Sequence, residues 1–317
     1  MLNIDKLTVT DGYHTIIDDI SLSVNAGGML GLVGESGCGK SVTALSILGL
    51  LPQPPMRIVQ GQILFGGQNL LSLAERDLCS IRGGEIAMIF QEPMTSLNPV
   101  FCIGDQIIEV LYLHQQLSRS ERRRQGREQA CRLLKRVGFA AAEQALGRFP
   151  HQLSGGQRQR VMIAMALACA PKVLIADEPT TALDVTVQAQ ILGLIKSLCL
   201  DDGLAVLLIT HDLGVVEQYC EQVAVMYCGQ IVEQGSCANV FTKPRHRYTK
   251  ALLNTIPASN VPGARLPAIT GSVPEAGNYP IACRFAPRCD AVAPRCTIDA
   301  PTLEKVEHPV RCWNPVA

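Results

Sequence analysis

This chain has no net charge to offer a polyanion. Its 28 lysines and arginines balance 28 aspartates and glutamates, which argues against a broad footprint for nucleic acid or anionic lipid. Long apolar runs are missing as well. The best, Val161 to Ala170, stops at Pro171, well short of the about 20 residues that span a bilayer. No basic-then-apolar leader opens the sequence, which starts Met1-Leu2-Asn3-Ile4-Asp5-Lys6. The expectation is a soluble chain in the cytosol. In that compartment its thirteen cysteines are not expected to pair as disulfides. Nine of them lie scattered before residue 240 and read as small buried apolar groups. What the chain has in quantity is core material: 47 % hydrophobic against 18 % charged residues over 317 positions. That suits one large domain or two smaller ones.

The stretch Gly34-Glu35-Ser36-Gly37-Cys38-Gly39-Lys40-Ser41 fits G-x-x-x-x-G-K-[ST], a loop that wraps nucleotide phosphates. Its glycines (Gly34, Gly37 and Gly39) let the backbone turn tightly with N–H groups pointing inward. Ser36 lies on the same turn. The helix that follows aims its positive end at the same phosphates. Lys40 is spaced to reach the β- and γ-phosphates, and the Ser41 hydroxyl to bind Mg²⁺. A glycine-rich turn that binds nothing would not need the flanks seen here. Met29 to Val33 reads as a short buried strand, and Ser41 to Leu51 as an apolar helix that Pro52 to Pro55 end.

Residues 3 to 33 read as three strands, with Leu7, Val9, Ile20, Leu22 and Val24 alternating with polar neighbours. Tyr13 sits on the first turn, where its ring either stacks on adenine or is an ordinary turn residue. Gln60 to Phe65 and Ile86 to Phe90 read as strands around a short helical segment at Arg76 to Ile81. The second strand runs into Gln91-Glu92-Pro93-Met94-Thr95-Ser96-Leu97-Asn98-Pro99, which its prolines keep out of helix. Gln91 opens that loop, where its amide can lie against a metal and an attacking water. Ile103 to Gln115 and Ser118 to Val137 read as helices, the second opening on a capping box, Ser118 with Glu121. Exposed Met94, Leu97, Phe101 and Ile103 are expected to form an apolar groove for a partner helix; the alternative packs them inside the helical region.

Leu153-Ser154-Gly155-Gly156-Gln157 puts small residues before a helix, which leaves N–H groups free as a second phosphate-binding surface. One chain rarely needs two such surfaces for one nucleotide, whereas two copies facing head to tail would use both. Val173 to Glu178 reads as a buried strand ending in two carboxylates, Asp177 and Glu178. A carboxylate at a strand end is where Mg²⁺ takes an oxygen ligand. Ala182-Leu183-Asp184 and a strand ending in His211 complete the ordered set.

After Thr255 the composition turns to Pro, Gly, Ser and Ala until Pro280, a linker. Then comes Cys283-x5-Cys289-x6-Cys296-x15-Cys312. Four clustered thiols suggest soft-metal ligation. The lack of a C-x2-C pair counts against an ordinary zinc ribbon. An iron–sulfur cluster, zinc, and unliganded or disulfide-bonded thiols all remain open on the residues alone.

The order Gly34–Ser41, Gln91, Leu153–Gln157, Leu174–Glu178, Ala182–Asp184, His211 resembles the ATP-binding subunits of ABC transporters. The likeness covers residues 1 to about 255. Gln91 to Pro99, His246 to Leu253 and the cysteine tail look like the peptide and nickel importer branch, although Arg247 stands where that branch usually has proline. The resemblance implies an α/β fold: a P-loop NTPase domain of the ABC type (1–255) with an antiparallel β portion and a helical subdomain inserted near 100–160. A linker (256–280) and a cysteine-rich C-terminal module (281–317) follow. It implies ATP and Mg²⁺ as cofactors, with Lys40 and Ser41 on phosphate and metal, Asp177 in the Mg²⁺ shell and Glu178 on the attacking water. His211 would hold the γ-phosphate and Asp184 would serve the partner's site. Ser154 and Gly156, flanked by Gly155 and Gln157, would meet the γ-phosphate across a dimer. In the tail it implies a [4Fe–4S] cluster on Cys283, Cys289, Cys296 and Cys312.

The implied partners are two membrane permease subunits, a second ATPase subunit (identical or related) and, indirectly, an extracytoplasmic solute-binding protein. The implied location is peripheral, on the cytoplasmic face of the plasma or inner membrane. Two other readings compete. A soluble ABC ATPase acting on ribosomes or DNA is disfavoured by the single phosphate loop and the zero net charge. An exporter ATPase is disfavoured by the Gln91–Pro99 segment and the tail.

Overall fold

The computed structural model describes residues 1–91, 96–114, 122–181, 183–256, 268–303 and 306–316. The chain opens with strands β1 (Leu2–Thr10), β2 (Thr15–Val24) and β3 (Met29–Val33), followed by helix α1 (Lys40–Ile47). Strands β4 (Arg57–Phe65) and β5 (Gln68–Asn69), helix α2 (Glu75–Ile81) and strand β6 (Ile86–Ile89) come next. Four helices follow: α3 (Ile103–His114), α4 (Arg127–Arg136), α5 (Ala142–Ala145) and α6 (Gly155–Ala166). The chain then alternates through β7 (Val173–Asp177), α7 (Val185–Asp202), β8 (Ala205–Thr210), α8 (Leu213–Tyr219) and β9 (Gln222–Tyr227). It continues with β10 (Gln230–Ser236), α9 (Cys237–Thr242) and α10 (Arg247–Asn254). These elements divide between two compact units. Residues 1–25, 29–72 and 208–317 make the first; residues 26–28 and 73–207 make the second.

In the first unit an antiparallel sheet runs in the order β2-β1-β4-β5. Along β1 the apolar positions pass from even (Leu2, Ile4) to odd (Leu7, Val9), and all four are buried. Strict alternation would turn one pair outward. A register shift between Ile4 and Leu7, with Lys6 at φ 49°, resolves this as a bulge. Strand β3 pairs in parallel with β9, which pairs antiparallel with β10. All five residues of β3 are buried, as its unbroken apolar run requires.

Helix α1 stops at Ile47, not at Leu51, and not because of the prolines. Gly49 takes φ 61°, its N–H reaches the Ser46 carbonyl, and the Leu50 N–H reaches that of Leu45. This is a Schellman stop, which glycine makes without steric cost.

In the second unit β6 and β7 pair in parallel, Ile86 beside Val173 through Ile89 beside Ala176. The helices of this unit bury residues at helical spacing: Ile103, Ile107 and Leu111 on α3, Ala130 and Leu134 on α4. The capping box expected at Ser118 and Glu121 lies outside the described residues. Before α4 the chain makes a π-helical turn, Arg122–Gly126.

The expected apolar groove is corrected here. Leu97 and Ile103 are 2 % and 0 % exposed, so neither is on the surface. The Gln106 side chain explains Leu97: it accepts from the Asn98 N–H and donates to the carbonyls of Asn98 and Phe101. That clamp draws the loop down onto α3. Ile103 is held inward where its own N–H meets the Arg148 carbonyl. Phe101 and Val100 stay exposed, and Met94 lies outside the described residues.

Candidate active site

Strand β3 delivers the chain directly into Gly34–Ser41, and α1 begins at Lys40 inside that loop. Gly39 caps the helix at φ 108°, a conformation that L side chains rarely adopt. A side chain at Gly34 would collide with the Met226 carbonyl oxygen, 2.1 Å from where its Cβ would stand. The close approach of the loop to β9 therefore needs glycine. Lys40 is buried, and its ammonium donates to the carbonyls of Gly34 (2.8 Å) and Glu35 (3.1 Å). A lysine ammonium is thus held over the loop, the kind of group a polyphosphate site uses. Ser41 is half-buried on the first turn of α1.

Tyr13 is 91 % exposed on the β1–β2 turn, which the Asp11 carboxylate organises by accepting from the N–H groups of Tyr13 and His14. Those bonds hold the Asp11 carboxyl below its ordinary range. His211 follows β8 directly and is exposed. Asp212 beside it caps α8 by accepting from Gly214 and Val215.

The same unit contains a set of contacts that the sequence reading did not find. Glu35, inside the phosphate loop, forms a bidentate pair with Arg288 of the C-terminal segment, at 2.7 and 3.0 Å. The Glu35 N–H donates to the Tyr248 hydroxyl at 3.0 Å. Tyr227, Tyr248 and Phe285 pack ring against ring beside them, at centroid distances of 4.7 to 5.4 Å. Burial pushes the Tyr227 hydroxyl up to about 12, so it stays a neutral partner for Arg288. Arg284 donates to the Cys228 carbonyl, and the next residue, Gly229, donates to the Cys38 carbonyl of the loop. A carboxylate in an anion-binding loop signals that a cation must stand near it. No sequence signal picks out which cation across 253 positions.

Cys283, Cys289, Cys296 and Cys312 line one small cavity beneath Phe285. None of the four is in a disulfide. Burial raises the Cys283 thiol to about 11, and the neighbouring Cys296 and Cys312 add to the rise. Burial likewise raises Cys289 and Cys312. Among the described residues, no three His, Cys, Asp or Glu side chains are close enough to hold one metal ion together.

The second unit has its own constellation. Because β6 and β7 run in parallel with Ile89 beside Ala176, the residues two steps on, Gln91 and Glu178, leave the sheet side by side. The Gln91 amide donates to Glu178 Oε2 at 3.2 Å, and the Thr181 hydroxyl donates to the same oxygen at 2.9 Å. Glu178 has φ 46°, a strained setting of the kind found where a side chain is aimed for function. Asp177 ends β7 almost fully buried. A carboxylate held by two donors, with one buried acid next to it, can accept a proton from water or ligate a hard cation.

Ser154 and Gln157 are bound to each other at the start of α6. The Ser154 hydroxyl accepts from the Gln157 N–H (3.3 Å), and the Ser154 N–H donates to the Gln157 side chain (3.1 Å). This is a capping box, and the S-x-x-Q spacing announces it. At Gly156 a Cβ would stand 2.5 Å from Val187, so α6 and α7 pack only over glycine there. At Gly155 a Cβ would stand 3.3 Å from Leu183, a tight fit that the leucine would have to ease. Asp184 caps α7, accepting from the Val187 N–H at 2.9 Å.

The profile of the family described as "ABC transporter" matches residues 17–181. The one described as "Oligopeptide/dipeptide transporter, C-terminal region" matches residues 232–296, a span that includes Arg288 and three of the four tail cysteines. The chain is 50 % identical to the oligopeptide transport ATP-binding protein AppD of Bacillus subtilis, over 94 % of this chain and 90 % of that one. It is 45 % identical to the oligopeptide transport ATP-binding protein OppD of Salmonella typhimurium, over 100 % and 94 %. Among solved structures it is similar to the ATP-binding cassette MJ0796, a dimer bound to ADP and Pi. That match has a TM-score of 0.65 at 28 % identity, over 75 % of this chain and 99 % of the other.

Proposed function

The chain belongs to the ABC transporter family, and from that premise we propose that it is the ATP-hydrolysing subunit of a peptide importer. The observation that carries this reading is the phosphate loop with Lys40 held over it, in a chain that also matches the oligopeptide and dipeptide C-terminal region. Among the described residues no helix is long and apolar enough to cross a membrane. In this reading translocation belongs to partners: two permease subunits, fed by an extracytoplasmic binding protein, with this chain docked from the cytoplasm. The helices between Ile103 and Ala166 are the inserted region that meets the permeases, with exposed Val100 and Phe101 at its start. Peptides are preferred over nickel as the solute because the relatives are named for peptides.

Each site residue takes one role in this reading. Lys40 and the loop N–H groups hold the phosphates, and exposed Tyr13 stacks on the adenine. The Ser41 hydroxyl and the Asp177 carboxylate are hard oxygen donors of the kind Mg²⁺ takes. When bound, Mg²⁺ offsets charge on the phosphate oxygens. Glu178 accepts the proton of the attacking water, Gln91 orients it, and His211 steadies the γ-phosphate. Ser154, Gly155, Gly156 and Gln157 present the α6 N-terminus to the nucleotide of a second subunit, and Asp184 lies at that same junction.

The test is a reconstituted complex with both permeases and the partner ATPase. Peptide-loaded binding protein should stimulate ATP hydrolysis several-fold over unloaded binding protein. Stimulation by nickel and by no peptide would overturn the solute assignment, and peptide-independent turnover would overturn the coupling.

The cysteine module is read as the seat of a [4Fe–4S] cluster. What supports this reading is that four thiols line one cavity, the number of thiolates such a cluster takes. Anaerobic purification should yield brown protein with about four irons per chain, the number such a cluster carries. Cys289→Ser should bleach it. Colourless protein with one zinc per chain, or with none, would remove the cluster.

A further inference from the structure

We propose that Arg288, in the C-terminal cysteine module, is a positioning residue for the phosphate loop, and that by neutralising Glu35 it makes the docking of that module a determinant of ATP affinity. This rests on reading Gly34–Ser41 as the ATP-binding loop.

Glu35 is the one acid in that loop, and its side chain is 29 % exposed. Uncompensated, its carboxylate would repel the phosphates that the neighbouring N–H groups and Lys40 attract. Arg288 is almost fully enclosed, at 4 % side-chain exposure. Its two η nitrogens grip both carboxylate oxygens, its Nε donates to the Thr270 carbonyl, and Nη1 also reaches the Tyr227 hydroxyl at 3.4 Å. The guanidinium is therefore held from three sides and aimed at one target.

Arg288 immediately precedes Cys289, and Phe285, three residues earlier, fills the aromatic cluster behind the loop. Holding Arg288 in place thus depends on the module that the four cysteines line. Loss of the module's packing would release the guanidinium and leave Glu35 as a bare anion among the phosphate donors. The consequence is a chain whose grip on ATP reports whether its C-terminal module is intact.

The test measures Mg·ATP affinity by calorimetry for the wild type, Arg288→Gln, Glu35→Gln and the double variant. Arg288→Gln should bind ATP about five- to twentyfold more weakly, a loss that shrinks as salt rises. Adding Glu35→Gln to Arg288→Gln should bring affinity back to within about twofold of Glu35→Gln alone. This rescue separates charge cancellation from structural damage, since a misfolded loop is not repaired by a second substitution. Arg288→Gln within twofold of the wild type would overturn the proposal, as would a double variant as weak as Arg288→Gln. Failure of the wild type itself to bind ATP would instead overturn the underlying assignment of the loop.

Discussion

Glu178→Gln should slow ATP turnover by about 10²–10⁴-fold, the usual cost of losing a positioned general base, while ATP binding survives. The amide matches the carboxylate in size and keeps an oxygen for the Gln91 amide and the Thr181 hydroxyl to bond. What it lacks is basicity toward water. Its backbone setting at φ 46° is unchanged by a swap of this kind, so the fold should be untouched. Because bound ATP no longer decays, the variant should accumulate as an ATP-loaded dimer in size-exclusion chromatography. Steady-state hydrolysis within a few-fold of the wild type would take Glu178 out of the role of base.

Ser154→Arg should abolish hydrolysis at a different stage. In the two-chain site proposed above the α6 N-terminus faces the nucleotide of a second subunit, so a bulky cation there should block closure of the pair. ATP should still bind to the monomer, with no dimer and at least about a hundredfold loss of turnover, the scale seen when catalytic groups are displaced. The capping box makes a control necessary, since any change at Ser154 breaks the bond from the Gln157 N–H. Losing such a cap costs about 1 kcal/mol. Ser154→Ala loses the cap without adding bulk, and it should dimerise and hydrolyse at a reduced but measurable rate. If Ser154→Arg dimerises normally, or if dilute wild-type monomer hydrolyses at the full specific rate, the two-chain site is wrong.

Much of the fold was legible because its signals are local. The alternation in β1 and β2, the apolar runs of β3 and β7 and the glycine spelling of the phosphate loop each depend on residues within one element. The contact between Gln91 and Glu178 is not local in that sense, since it follows from β6 and β7 pairing in parallel across 87 positions. The misreadings came from contacts that a linear pattern does not carry. Leu97 and Ile103 read as exposed because they flank a proline-rich loop, yet the Gln106 side chain folds that loop over α3 and buries Leu97. Pro52 to Pro55 are the obvious end for α1, but Gly49 stops it first. Ser154 and Gln157 read as ligand contacts only, although their spacing also spells a cap. Arg288 and Glu35 could not be paired in advance, because nothing in either neighbourhood names the other.

The lone tryptophan has a practical consequence. Trp313 donates its indole N–H to the Asp299 carbonyl and has the Arg295 guanidinium 3.4 Å from its ring centre, all within the C-terminal module. Intrinsic tryptophan emission from this protein is therefore a local optical probe of that module. A melting curve followed by that emission tracks the detachment or unravelling of one corner, whatever the strands and helices elsewhere are doing. Circular dichroism, which sums over the whole backbone, would follow the rest. The temperature gap between the two traces is a label-free measure of how firmly the module is fastened.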